Sequence, residues 1–360
     1  MAAAISAALY VDVNTAFSLH QPEDHTLTGS GSVSRHNEVG LNMATAGVEW
    51  NVANVIGRLH LQFGNTLAMV QDGDGSVARG RTLSVEALKH VREAAVGYHF
   101  DVLDGVNVEA GLFSSFVGAD GYLLADNWLY NRALVSEFTP FYFTGVRAQV
   151  FIGDVKIEPW IINGYQTYGR FNEAPSVGLA LRWAANEALV LVANGYAGFD
   201  TPGEPERLRL HHDHTVQWRL FNSDDNAVLH RVALSVNNHL GGETGGTATF
   251  DDHLFAGTAV VLRGSLFDDV LAVSARGEVL HERGAYSLQL PPAGFADDVT
   301  FTGATLGVEW MPTDFFSVRP EAVYRTSTVP FFAGPGGTSG TTPDLRSDQV
   351  LFTLAATARL

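Results

Sequence analysis

Apolar residues in this chain recur at every second position, in segments of about ten residues, and no apolar run reaches the roughly 18 residues that a membrane-spanning helix needs. Leu9, Val11, Val13 and Phe17 alternate with Tyr10, Asp12 and Asn14. Val55, Leu59, Leu61 and Phe63 alternate with Arg58, His60 and Gln62, and Ala94, Val96, Tyr98 and Phe100 with Glu93, Gly97, His99 and Asp101. The last segment sets Val350, Phe352, Leu354, Ala356 and Ala358 against Gln349, Thr353, Thr357 and Arg359. Side chains of a strand point alternately to its two faces, so each segment has one apolar and one polar face. That is the repeated pattern of strands crossing a bilayer.

Sixteen such segments are expected, at 7–18, 38–50, 54–66, 91–102, 106–116, 141–152, 155–165, 175–184, 188–199, 213–222, 227–238, 253–264, 269–282, 299–310, 315–326 and 347–360. The connections between them alternate in length from end to end. Seven are tight and carry turn residues such as Asp104-Gly105, Gly153-Asp154 and Pro312-Thr313-Asp314. The others are mostly long, polar and Gly-rich, as in 19–37, 67–90, 117–140 and 327–346. The expected fold is all-β: one up-and-down antiparallel transmembrane β-barrel over residues 1–360, with short periplasmic turns, long external loops and both termini on the periplasmic side. An even strand count lets the first strand pair with the last and leaves no edge in lipid. Twelve strands with hairpins left outside, or eighteen, are the alternatives. Alternation is lost around Thr45 to Gly47, which points to a bulge or a shifted boundary, and Pro159 and Pro320 fall inside segments where a closed barrel offers no free edge.

Aromatic residues give a second line of argument. By parity Trp50, Phe100, Trp183 and Trp310 point outward at the turn end, and Phe17, Phe63, Phe116, Tyr142, Phe199 and Tyr324 outward at the other. Two outward belts suit rings that favour the membrane–water interface.

Composition then excludes whole classes. With 39 acidic against 22 basic residues the formal charge is −17, which argues against nucleic acid as a partner. There is no cysteine, hence no disulfide, no Cys-ligated metal and no thiol chemistry. The stretch Met1-Ala2-Ala3-Ala4-Ile5-Ser6-Ala7-Ala8 follows no basic n-region; it reads as the tail of an export signal or as a start placed on a mature chain, the signal itself being expected to have been removed. In His211-His212-Asp213-His214, His212 and His214 share one face of a strand, yet no second ligand group at metal-site spacing accompanies them, and a polar strand entrance at an external loop is the simpler reading. Asp72-Gly73-Asp74-Gly75 resembles a calcium loop, but Leu83 stands where the twelfth-position Glu belongs. Asp251-Asp252 and Asp297-Asp298 read as solvated loop carboxylates that could meet divalent ions near lipopolysaccharide. Ser114-Ser115 lacks a Gly-x-Ser-x-Gly elbow, so no enzyme is expected, and neither a metal nor a cofactor.

The inward face holds the candidate functional residues. Parity points Arg58, Arg147, Lys156, Arg182, Arg219, Arg231, Arg263, Arg276, Arg319, Arg325 and Arg359 into the lumen, with Asp12, Glu93, Asp101, Glu109, Glu158, Glu278 and Glu321. Only water can solvate such a wall. Basic groups outnumber acidic ones there, so a weak preference for anions is expected, the excess acid lying in loops where salt screens it. The connection 117–140 carries Tyr122, Leu123, Leu124, Trp128, Leu129 and Tyr130, too apolar for a solvated loop. It is expected to fold into the barrel and narrow it, with Tyr122, Asp126, Asn127, Trp128, Asn131 and Arg132 as the constriction candidates; a cap packed on neighbouring loops is the alternative.

Asp126-Asn127-Trp128-Leu129-Tyr130-Asn131-Arg132, then Pro140-Phe141-Tyr142-Phe143-Thr144-Gly145-Val146-Arg147, resembles the OmpL-like family of β-barrel porins, the second such family. Ile161-Ile162-Asn163-Gly164 is similar to the family's Val-Asn-Gly strand end, and Glu86-Ala87-Leu88-Lys89-His90 with Ala95-Val96-Gly97-Tyr98 to its approach to the fourth strand. The resemblance is densest over residues 80–200. Many outer-membrane proteins end in Phe, where this chain ends Arg359-Leu360. The resemblance implies a porin-like barrel and establishes no solute; the polar lumen face is what leads to the expectation of a water-filled outer-membrane porin for passive diffusion of small hydrophilic solutes. Its expected partners are outer-membrane lipids, lipopolysaccharide, those solutes, and a protein at the external loops or periplasmic turns. A structural barrel that anchors or seals an envelope-spanning complex is the second expectation.

Overall fold

In the lipid part of a bilayer every backbone N–H and C=O must find a partner within the protein, and a sheet can meet that demand only by closing on itself. The computed structural model, which describes residues 4–71, 74, 85–223, 226, 228–284, 298–339 and 342–360, closes in this way. The strands are β1 (Ala4–Ser18), β2 (Val39–Val52), β3 (Val55–Phe63), β4 (Val91–Phe100), β5 (Val106–Ser114), β6 (Tyr142–Ile152), β7 (Val155–Ile162) and β8 (Ser176–Asn186). The circuit continues through β9 (Leu189–Gly198), β10 (Leu208–Asn222), β11 (Leu229–Thr244), β12 (Leu254–Leu266), β13 (Leu271–Arg283), β14 (Asp298–Thr313) and β15 (Phe316–Ser327). Two short strands, β16 (Phe332–Ala333) and β17 (Leu345–Arg346), pair apart from the wall before β18 (Asp348–Arg359) closes it against β1. The barrel thus has sixteen strands, β1–β15 and β18, in sequence order and antiparallel throughout. Short helices α1 (Asn65–Gln71), α2 (Val85–Leu88) and α3 (Leu134–Glu137) lie in the long connections.

The outward positions expose apolar side chains such as Val11, Leu59, Val96, Leu179, Leu262 and Phe352, while their sequence neighbours face in. Trp183 and Trp310 stand exposed near the turn end, and Phe63 and Tyr324 near the other. The turns explain themselves locally: between β2 and β3, Ala53 and Asn54 both take positive φ, 52° and 66°, which matches the twist of a tight hairpin.

Four local expectations need correction. The irregularity in β2 is a bulge at Asn42, where the register with β1 shifts between Asp12 and Val13; Thr45 to Gly47 pair regularly. The third strand stops at Phe63 instead of 66, and Asn65–Gln71 is helical, its Thr66 hydroxyl bonded to Asn42 at 2.8 Å. The His211–His214 run is no strand entrance: β10 begins at Leu208, five residues before the expected start, and β11 continues to Thr244, six past the expected end, the two paired over this extension. Tyr142 has outward parity but is buried. It stacks on Tyr168 at 4.7 Å and hydrogen-bonds Asp74, because the long connections fold over that rim.

Both prolines are accommodated by the same device. Pairing of β7 with β6 lapses between Trp160 and Ile157, around Pro159, and pairing of β15 with β14 lapses between Glu321 and Val318, around Pro320. The missing N–H therefore falls where the ladder is already interrupted.

Candidate functional site

The inner wall divides into two levels. Toward the long connections, strand after strand places an almost fully buried residue inward: Ala16, Gln62, Phe113, Phe143, Phe301 and Leu351 are examples. Apolar clusters fill this level from several sides, one joining Leu134, Val135 and Phe138 to Phe255, Leu280 and Phe301. Toward the turns, inward side chains are reachable by water, with Arg182 and Gln217 exposed and Lys156, Arg219 and Arg231 half-buried.

The segment 117–140 runs along the inside of β12–β15, β18 and β1. Arg319 donates to the carbonyls of Leu124, Ala125 and Asn127 at 2.6, 3.0 and 3.2 Å. Arg263 reaches Trp128 O at 3.0 Å, Arg276 reaches Asn131 O at 2.7 Å, and Arg325 reaches Arg132 O at 2.7 Å. Glu321 accepts from the backbone N–H of Tyr130, and from the backbone and side-chain N–H groups of Asn131 at 2.9 Å each. Glu278 accepts from Leu134 N at 2.6 Å, and Arg359 bonds Asp126 at 2.7 Å. Tyr130 donates its hydroxyl to Asp12 at 2.8 Å.

Within the segment, Asn127 closes a turn onto Gly121, accepting at 2.7 Å and donating at 3.1 Å. Tyr122 packs edge-on against Phe141 at 5.7 Å, and the Arg132 guanidinium lies 4.1 Å from the same ring. Arg132 also donates to Ser136 O at 2.9 Å; its burial lowers its affinity for a proton, an effect opposed by Glu137 and Asp120. Glu137 ties in a second connection, accepting from Ser30 and Ser32 hydroxyls at 3.0 Å and from Gly31 N at 2.8 Å.

These bonds change what the wall offers. Arg263, Arg276, Arg319 and Arg325 hold backbone carbonyls and neighbouring carboxylates, so they do not face open water as parity alone suggests. On the opposite side Arg58 and Arg147 share buried Glu109, and Arg147 stands 4.5 Å from the Phe113 ring. Lys156 pairs with Glu158, and Arg231 with Asp269 at 3.2 Å. Arg219 meets exposed Glu187 only at 3.8 Å, and exposed Arg182 has no ion-pair partner among the described residues. Glu93 accepts from the Ser114 hydroxyl at 2.7 Å. Asp101 lies just past β4, at the turn end, bonded to Asn54 at 3.3 Å.

Alternation did not reveal Arg92. A register shift between His60 and Leu61 turns it inward, 2.7 Å from His60 Nδ1. Below Ala125–Trp128, at the turn end, a polar cavity of about 600 Å³ is lined in part by Arg231, Arg263, Glu309 and Arg359.

Among the described residues no three candidate metal ligands gather. Asp74 is engaged by Tyr142 and by Tyr168 N at 3.0 Å, while Asp72, Gly73, Gly75 and Asp297 lie outside the described residues.

The sequence matches no curated protein. Among solved structures, an anion-selective porin from Comamonas acidovorans is similar with a TM-score of 0.64 at 9% identity, covering 99% of this chain and 100% of that one. OprB of Pseudomonas putida gives 0.61 at 11% identity over 99% and 94%, and the outer membrane channel DcaP of Acinetobacter baumannii 0.58 at 12% over 99% and 97%. At such identities the likeness is one of fold. The family model described as "Putative beta-barrel porin-2, OmpL-like" matches residues 4–360. The chain belongs to that family of β-barrel porins and is a protein of the bacterial outer membrane.

Proposed function

We infer that the barrel is a narrow, water-filled channel for passive diffusion of small hydrophilic solutes, with a weak preference for anions. The observation that carries this reading is Arg182: an inward cation on β8, exposed, with no ion-pair partner among the described residues. Inside a barrel such a charge is tolerable only in water. Lys156 stands directly opposite it on β7, and along this stretch Arg58, Arg147, Lys156 and Arg182 face only two paired carboxylates, Glu109 and Glu158, so a cationic excess remains. The segment 117–140 narrows the passage from the opposite side. Arginine on a pore wall favours anions.

Planar-bilayer recording of the purified protein tests both parts. Small single-channel steps are expected, with a reversal potential across a dilute KCl gradient that reports weak anion preference. Clear cation selectivity would mean that the acidic connections dominate.

The packed external level favours a second reading, a sealed barrel that anchors or closes an envelope complex. It predicts a folded protein with no steps at all, in the same recording.

A further inference from the structure

The lipid-facing wall is apolar almost everywhere between its aromatic belts, but not on β10–β12. His212 and His214 face outward there, their Nε2 atoms 2.9 Å apart. Asn238 stands directly opposite His214, and Thr258 directly opposite Asn238, with a 2.8 Å bond from the Thr258 hydroxyl to the Asn238 side-chain carbonyl. On β10 these groups lie above outward Trp218, within the span of the wall instead of at its rim. His212 Nδ1 is already bonded to Asn194 O at 2.6 Å, so the groups left facing hydrocarbon are His214 Nδ1 and the Asn238 side-chain N–H, and leaving them against lipid is costly.

A second observation points the same way. Gly195, opposite His212 on β9, sits on this outer face, and a Cβ placed there would meet nothing within 4 Å. Its φ is not in the left-handed region, so the chain's own fold does not require glycine. Glycine weakens a strand, and here it buys no local fit. With Leu210, Leu240 and Phe250 it borders an apolar groove of about 600 Å³ that runs beside the polar groups.

We propose that the outer face of β9–β12 is an interface between two copies of this chain. A second copy is the occupant that the chemistry favours. With His212 Nδ1 donating to Asn194 O and His212 Nε2 accepting from His214 Nε2, His214 Nδ1 is left as an acceptor and the Asn238 amide as a donor, so the patch can satisfy itself across the contact, and glycine with Ala193 lets the two walls approach closely. An acyl chain would fill the groove but leave the polar groups unpaired.

The test uses the full chain in lipid nanodiscs and in mild detergent, with native mass spectrometry for oligomeric state and heat-modifiable gel mobility for folding. Wild type should self-associate. Gly195→Leu should fold as a barrel, because nothing of its own chain is in the way, and should self-associate at least tenfold more weakly. Asn238→Leu should do the same. A folded wild type that is monomeric in both media, lipid-filled groove included, overturns the proposal, as does a Gly195→Leu protein that assembles as well as wild type. Neither result depends on whether the barrel conducts.

Discussion

Asp24 shows how single side chains lock the connections together. One carboxylate accepts from Thr26 N at 3.0 Å, Thr338 N at 2.6 Å, Ser339 N at 2.9 Å, and the hydroxyls of Thr338 and Ser339 at 3.0 and 2.7 Å. Partial burial works to raise its pKa, but the bonds from Ser339, Thr26 and Thr338 outweigh burial and hold it well below the usual carboxylate range. The sign follows from linkage. A depressed folded value means that the clasp contributes fully above the unfolded value of about 4 and is lost only as pH falls through the folded value beneath it. Asp24→Asn should therefore speed amide exchange at Thr338 and Ser339 about tenfold at neutral pH, the size expected for losing hydrogen bonds to a charged acceptor. Unchanged exchange would show that the clasp adds nothing. A backbone counterpart is Ala53, whose φ of 52° is unfavourable for a residue with a Cβ. Ala53→Gly should stabilise the barrel by about 1 kcal/mol, read as a higher denaturant midpoint; a lower midpoint would refute the strain.

At the scale of elements, strands and tight turns were legible in the sequence and the packing of the connections was not. Period-2 alternation is local information, so each of the sixteen expected segments holds a strand, and positive-φ turns fall where short polar connections predicted them. Bulges were harder. One extra residue at Asn42, or the shift that turns Arg92 inward, leaves only a one-step change of phase in the sequence. The connections depend on pairs far apart in the chain, such as Tyr130 with Asp12, Arg319 with Leu124 or Glu137 with Ser30, and no periodicity records these. Apolar content marked 117–140 as unlike a solvated loop; it could not tell which wall the segment would take, or that this wall's arginines would be used to hold it. The consequence is measurable. Removing 121–131 deletes the carbonyls that Arg319 and Arg263 hold, and single-channel conductance should rise about twofold or more if cross-section limits it. Unchanged conductance in a folded deletion protein would place the narrowest point elsewhere.

The whole molecule is a closed apolar cylinder with a packed interior at one end and a hydrated one at the other. Under the outer-membrane topology of short periplasmic turns, the packed end faces the exterior. Because the chain has no cysteine, single cysteines report cleanly. Asp251→Cys, in the long connection after β11, should label in intact cells with an impermeant thiol reagent, and Asp314→Cys, in the turn after β14, only once the outer membrane is breached. The reverse pattern would invert the barrel. Passage of water and solute along the β8 side of the lumen can be read at Arg182. Arg182→Cys is recorded in a planar bilayer before and after an anionic, water-soluble thiol reagent is added. A hydrated path there gives prompt modification, a stepwise fall in conductance and a reversal potential moved toward cation preference. Complete modification with conductance and reversal potential both unchanged, or a correctly inserted barrel that never conducts, would contradict it.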